Sequence, residues 1–357
     1  MKKTIIAFAA LASFAGLASA QSSVTLSGRV NAGVGKFVGT TDNRVLSNEW
    51  SGLIFSGVED LGNGLSAGFK LNPRFNIVDG GTSGGSLPVN RDAAGNVTST
   101  GGIGFGEKLV FLQSAFGKIS LGTVSKPAFD AVSWSDVNGW YNGDNWAAIQ
   151  GGADSAWESS ASRMDRAARY EYNANGLYAG VALSDKNKAG ETNALATEMP
   201  VSVGASFNAL GFKVGIGHDR GRVKSTNQQN WTVLGLGYSM PGLADFGASY
   251  GQGKDSIGAK RQAAQIGAAG NVGAVRVALT YADIRNTPVA TIVTPDPKAV
   301  KVSQVVTLGA KYSLSKRTSI FGDVAYDKAV KDANKNNAAV NANRLAVGYS
   351  LGIAHSF

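Results

Sequence analysis

From Val24 onward apolar or small residues take every second position. Val24, Leu26, Gly28, Val30, Ala32 and Val34 share one side of an extended chain, and Thr25, Ser27, Arg29 and Asn31 share the other. Successive side chains of a strand point to opposite faces, so this is a half-apolar strand. The pattern returns along the chain. Leu65, Ala67, Phe69 and Leu71 stand against Ser66, Gly68, Lys70 and Asn72, while Val275, Val277, Leu279 and Tyr281 stand against Arg276 and Thr280. Val201, Val203, Ala205 and Phe207 repeat it, as do Phe212, Val214 and Ile216, and Val306, Leu308, Ala310 and Tyr312. No segment beyond the N-terminus approaches the ~18 uninterrupted apolar residues that a membrane-spanning helix requires.

The connections decide between a soluble sandwich and a membrane barrel. Short turns such as Leu61-Gly62-Asn63-Gly64, Ala115-Phe116-Gly117, Pro241-Gly242 and Ser315-Lys316-Arg317-Thr318 alternate with long polar stretches. The long stretches are Ile77 to Gly106, Ser125 to Ser162, Ser184 to Met199, Gly217 to Asn230, Asp283 to Val300 and Asp327 to Asn343. Short turns on one rim and long loops on the other are the pattern of outer-membrane barrels. The spacing predicts sixteen strands, beginning near Val24, Gly52, Leu65, Lys108, Lys118, Ala167, Leu177, Val201, Phe212, Trp231, Leu243, Arg261, Ala274, Lys301, Thr318 and Arg344. The fold class is therefore all-β: a 16-stranded antiparallel transmembrane β-barrel. Closure pairs every backbone N–H and C=O in a medium without water and leaves no edge to aggregate.

The N-terminus has a different character. Lys2 and Lys3, an apolar run from Ile5 to Leu17 and the small residues Ala18-Ser19-Ala20 read as a secretory signal peptide over residues 1–20. Residues 21–357 then form a single barrel domain. The chain has no cysteine, which removes disulfides, thiolate metal sites and cysteine nucleophiles. Its formal charge is +9, carried by residues scattered singly through the alternating segments with no basic block. A secreted protein of that kind points to a basic, water-filled lumen and no nucleic-acid partner.

The stretch Gly57-Val58-Glu59-Asp60-Leu61-Gly62-Asn63-Gly64-Leu65-Ser66-Ala67-Gly68-Phe69 resembles the second strand, first periplasmic turn and third strand of the trimeric general porins of β-proteobacteria. Further matches are Ser23-Val24-Thr25-Leu26-Ser27-Gly28, Phe116-Gly117-Lys118-Ile119-Ser120-Leu121-Gly122, Arg169-Tyr170-Glu171-Tyr172 and Tyr312-Ser313-Leu314-Ser315-Lys316-Arg317-Thr318, which together cover most of the mature chain. The resemblance implies an outer-membrane general diffusion channel for ions and small hydrophilic solutes, a homotrimer with three separate pores, and no cofactor or metal. Trp50, Leu53 and Phe55 are candidates for its subunit contact wall, and lipid and lipopolysaccharide are its expected surroundings. The last strand alternates Leu345, Val347, Tyr349, Leu351 and Ile353 and ends in Phe357, which resembles the signal read by the barrel-assembly machinery. Ser125 to Ser162, at about 125–162, has the family position of the loop that folds inward to narrow the pore. Two arginines that the family often carries, near Gly52 and near Thr123, are absent here.

Strand parity points nine bases into the lumen: Arg29, Lys70, Arg74, Arg163, Arg169, Lys213, Arg261, Arg276 and Lys311. It points in four acids, Asp165, Glu171, Asp245 and Asp323. Lys70, Arg74, Arg163 and Arg169 are the candidate basic wall of the constriction. Asp130, Asp136 and Asp144 are the candidate loop acids facing it. A low-dielectric wall focuses such a field across the water column and favours anions. Two other readings remain open from sequence: a substrate-specific channel using the loop tryptophans, and a barrel-anchored adhesin or receptor. Conductance in planar bilayers separates the last from the others. Catalysis has little to work with: His218 lies at a strand-to-loop transition, His355 shares the outward parity of Ile353 and Phe357, and the glycine runs lack the spacing of a phosphate-binding loop.

Overall fold

The computed structural model describes residues 23–46, 51–75, 77–78, 106–139, 162–185, 198–224, 228–255, 257–290, 297–336 and 345–357. The expected signal peptide, Trp50 and Asp144 lie outside the described residues. Sixteen strands form the wall. They are β1 (Ser23–Lys36), β2 (Ser51–Gly62), β3 (Leu65–Leu71), β4 (Lys108–Ser114), β5 (Gly117–Ser125), β6 (Arg163–Ala174), β7 (Leu177–Ser184) and β8 (Val201–Ala209). The second half comprises β9 (Phe212–Lys224), β10 (Gln228–Met240), β11 (Ala244–Lys254), β12 (Lys260–Val272), β13 (Val275–Thr287), β14 (Val300–Ser313), β15 (Thr318–Asp327) and β16 (Val347–Ser356). Each pairs antiparallel with its neighbours in chain order. β1 also pairs with β16, from Arg29 opposite Ser356 to Lys36 opposite Tyr349, and this closes the barrel. Two short segments complete the sheet: Arg44–Leu46 lies against Gly33, Val34 and Gly35, and Arg74–Phe75 lies against Gly52 and Ser51.

Most strands begin within a residue of the sequence expectation. The exceptions, β6, β10 and β16, start at Arg163, Gln228 and Val347. One expected loop is a correction. Gly217 to Asn230 reads as a polar connection, yet β9 runs to Lys224 and β10 starts at Gln228, with Lys224 opposite Gln228. This hairpin continues past the lipid band, where water meets both faces, so nothing imposes apolar parity there. β13 likewise runs on to Thr287.

Parity sets the two surfaces. Val24, Leu26, Leu121, Val214, Leu236, Ile266, Leu279 and Leu351 are exposed on the outside, where lipid covers them. The outer band is flanked by aromatic residues: Tyr250, Tyr281, Tyr326 and Tyr349 toward the long-connection rim, and Phe207, Phe212, Phe246 and Tyr312 toward the short-turn rim. Such girdles mark the two membrane interfaces. The lumen side carries Asn31, Ser120, Thr280, Thr307 and Ser350. It also carries an apolar cluster that the alternation alone does not announce: Trp231, Val233, Ala263, Ile284, Val305 and Ala325 pack with Ala131 and Val132. These last two residues belong to the connection between β5 and β6, which therefore has a hydrophobic seat inside the barrel.

Candidate functional site

After β5 the chain turns into the lumen. Lys126 N–H donates to the Ser162 carbonyl at 3.0 Å, so the two ends of the 126–162 connection are tied together at their base. Pro127 opens one helical turn, Pro127–Asp130, followed by a 3-10 turn at Ser133–Ser135. This segment runs across the inner faces of β7 to β12. Its wall-side contacts are lumen-facing glycines. A Cβ on Gly204 would lie 2.0 Å from the Pro127 carbonyl oxygen, one on Gly215 would lie 2.0 Å from that of Ala131, and one on Gly247 would lie 2.1 Å from that of Ser135. Gly180, Gly217, Gly235, Gly237 and Gly267 meet the same segment. The backbone can lie flat on the wall only because these side chains are missing.

Polar tethers fix its position. Ser202 Oγ accepts from Ala128 N–H at 3.1 Å, and buried Lys126 Nζ lies 3.7 Å from Asp219. Trp134 donates its indole N–H to the Ala131 carbonyl at 2.8 Å, and the Lys213 ammonium sits 4.9 Å from the centre of its ring. An ammonium over a Trp face gains from the ring quadrupole.

The four basic residues expected at the constriction divide into two groups. Lys70, Arg74 and Arg163 surround Glu107: Lys70 Nζ is 2.5 Å from its carboxylate, and the charges of Arg163 and Arg74 act on the same group. Burial works to raise the Glu107 pKa, but Arg163 and Lys70 outweigh it and hold the carboxyl below its ordinary value. Arg74 sits directly across the sheet from Gly52, so a neighbouring segment supplies a cation beside the position where the family often has an arginine. Arg163 also donates to Ser125 Oγ at 3.3 Å and to the Ser162 carbonyl at 2.9 Å.

Arg169 is placed differently. Its side chain is only 7% exposed, and it binds Asp130 at 2.8 Å, Glu171, the Ser125 carbonyl at 2.9 Å and the Tyr178 hydroxyl at 3.2 Å. It joins the start of the inward segment to the β6 wall. Asp130 also accepts from Ser125 Oγ at 2.6 Å. Burial pushes its pKa up, and the opposing pull of Arg169 and Ser125 does not cancel the rise. Asp136 folds back on its own turn, accepting from Asn138 N–H at 3.1 Å and Gly139 N–H at 3.3 Å, and it reaches Gln265 at 3.4 Å. Asp144 lies outside the described residues. Glu107 and the Lys126–Asp219 pair went unread in the sequence, because Glu107 and Lys126 stand where a strand meets a connection and Asp219 lies in the stretch that reads as a polar connection but is strand.

Nearer the short-turn rim, Arg276 and Lys311 face the lumen directly opposite one another on β13 and β14. Arg276 pairs with Asp245 at 2.8 Å. His218 and His355 each share a ring nitrogen contact of 2.9 Å with a threonine, Thr232 and Thr318, on the outer surface. Among the described residues no group of three or more His, Cys, Asp or Glu is placed to hold a metal ion.

A sequence profile described as Gram-negative porin matches residues 7–332. The chain belongs to that family. This porin is 29% identical over 387 residues to outer membrane porin protein 32 of Delftia acidovorans, with 100% of each chain covered. It is 34% identical over 140 residues to an outer membrane porin protein of Bordetella pertussis, covering 33% of this chain and 36% of that one. Among solved structures it matches the anion-selective porin from Comamonas acidovorans with a TM-score of 0.67 at 23% identity, over 94% of this chain and 100% of that one. Salmonella typhi OmpF matches with a TM-score of 0.67 at 14% identity, over 94% and 97%. At these identities the structural likeness concerns the fold. The porin is an outer-membrane β-barrel and a channel rather than an enzyme.

Proposed function

We propose that this porin is a general diffusion channel with a moderate anion preference, passing ions and small hydrophilic solutes through a lumen narrowed by the 126–162 connection. The observation that carries the reading is the cluster of Lys70, Arg74 and Arg163 about Glu107, with Asp130 also acting on Arg163: three bases and two carboxylates among the described residues. Low-dielectric walls concentrate the field of these bases in the water between them. The printed name of the Comamonas structure, an anion-selective porin, agrees with this. Arg169 is a positioning residue in this scheme, since its charge is met at short range by Asp130 and Glu171. Asp130 tempers the field and Asp136 shapes the turn. Residues 1–20 direct export and are removed, leaving 21–357 as the mature barrel. The barrel works as a homotrimer among lipopolysaccharide, assembled through recognition of Phe357, and it uses no cofactor and performs no catalysis.

Reversal potentials across a planar bilayer under a KCl gradient test the selectivity. Wild type should favour chloride, more so at 0.01 M than at 0.1 M salt, because the screening length falls from ~30 Å to ~10 Å. Arg74→Ala should reduce the preference, while Arg169→Ala should chiefly alter conductance and its noise. Cation preference in the wild type would overturn the reading.

A further inference from the structure

The outer wall carries a basic patch that the channel does not use. On the face turned to the membrane, Gln252, Gln262, Arg285 and Lys301 form one row across β11 to β14, each directly opposite the next. One step nearer the long-connection rim, Lys254 lies directly opposite Lys260. Two pairs of like charges, Lys254 with Lys260 and Arg285 with Lys301, thus face each other across the sheet. Like charges in that position are destabilising unless something of opposite sign lies between them.

The nearby carboxylates meet only part of this charge: Asp283 is already paired with Arg285, and Asp255 is held by its own turn. Asp283 accepts from Arg285 at 2.6 Å and from Gln304 at 2.7 Å, and Asp255 accepts three backbone N–H groups in the turn 255–259. Among the described residues four bases thus stand against two acids, one of them paired with Arg285, and all four bases are exposed. The row is held in place from below. Gln262 donates to the Tyr250 hydroxyl at 3.0 Å, Gln304 donates to that of Tyr281 at 3.2 Å, and Lys301 donates to Gln304 at 3.1 Å. Tyr250 and Tyr281 belong to the aromatic girdle where hydrocarbon gives way to headgroups. The patch is thus continuous with the lipid-covered band beneath it, at headgroup depth on the rim with the long connections.

We infer that Lys254, Lys260, Arg285 and Lys301 form a binding site for the phosphates of a phosphorylated glycolipid of the outer leaflet, whose acyl chains lie on the apolar wall below. Phosphate oxygens between the paired cations would turn repulsion into charge-assisted hydrogen bonds, and the tyrosine hydroxyls and glutamine amides would meet the sugar. The inference rests on the outer-membrane location and is independent of pore selectivity.

Native mass spectrometry of the purified oligomer in detergent, titrated with diphosphoryl lipid A, tests it. Wild type should retain that lipid and release its dephosphorylated form. The variant Lys254→Gln/Lys260→Gln/Arg285→Gln/Lys301→Gln should bind at least about tenfold more weakly, with wild-type conductance in planar bilayers as the check that it folds. If that variant does not fold, Lys254→Gln/Lys260→Gln and the comparison of the two lipids on wild type carry the test. Equal retention by folded variants, equal retention of the dephosphorylated lipid, or full competition by inorganic phosphate at the lipid's own concentration would each overturn the site. Loss of conductance in the wild type would instead strike the channel reading.

Discussion

Asp130 and Glu107 are both carboxylates beside arginines, yet their surroundings drive them apart. Glu107 is held below its ordinary pKa by Arg163 and Lys70 in spite of burial, whereas burial wins at Asp130. As the pH falls, Asp130 takes up a proton above the usual aspartate range while Glu107 is still ionised. The lumen then loses a negative charge before the basic cluster loses its counter-charge. Anion preference should therefore rise on acidification, beginning at a higher pH than an exposed aspartate would give. Reversal potentials measured down a pH series check this. Asp130→Asn should show the acid-type preference already at neutral pH and lose the step. A step unchanged in that variant would assign it to another group. Arg169 belongs to the same network as a structural clamp: removing one partner of a buried ion pair costs about 3–5 kcal/mol because the other charge is stranded.

The inward segment 126–139 depends on what the wall lacks. Gly204 and Gly247 leave no room for a side chain beneath Pro127 and Ser135. Gly204→Val should therefore lift the segment into the lumen and lower single-channel conductance, with little change in barrel stability. Gly322→Val, on a wall position whose nearest neighbours are Ser350 and Leu351, is the control. Equal conductance in both variants would remove the glycine track as the seat of the segment. This device shows where sequence reading stops. The strands were legible because lipid on one face and water on the other force a two-residue period, which is why starts such as Leu65, Lys108, Leu177, Val201, Phe212 and Thr318 coincide with the structure. Lumen glycines obey the same parity and look like ordinary strand glycines until the connection crossing them is known. The apolar seat around Trp231 and Ile284 hides for the opposite reason, since inside a water-filled barrel parity predicts polar residues there. Of the site itself, the sequence marked Lys70, Arg74, Arg163 and Arg169, but only the fold separates the cluster around Glu107 from the clamp.

A closed barrel has one seam where the first and last strands meet, and here Phe357 extends it by one further pair of backbone bonds. Phe357 N–H donates to the Gly28 carbonyl at 3.0 Å and its carbonyl accepts from Gly28 N–H at 3.0 Å, while Ser356 N–H donates to the Arg317 carbonyl at 2.8 Å. The Phe357 ring covers Gly28 so closely that a Cβ there would come within 2.5 Å of it. Phe357 can thus act twice, as the end of the closing ladder and as the side chain proposed to be read during assembly, and the two roles separate by substitution. Deleting Phe357 removes both backbone bonds and the ring, each such bond being worth about 1 kcal/mol. Phe357→Ala keeps the backbone bonds and loses only the ring. The deletion should lower the yield of heat-modifiable folded barrel both in cells and on refolding into lipid vesicles without assembly proteins. Phe357→Ala should lower it strongly in cells but only slightly in vesicles. Electrophoresis of unheated and boiled samples reads the yield. If the deletion refolded in vesicles as fully as wild type, the seam would not depend on Phe357, and if both variants assembled normally in cells the recognition role would fall as well.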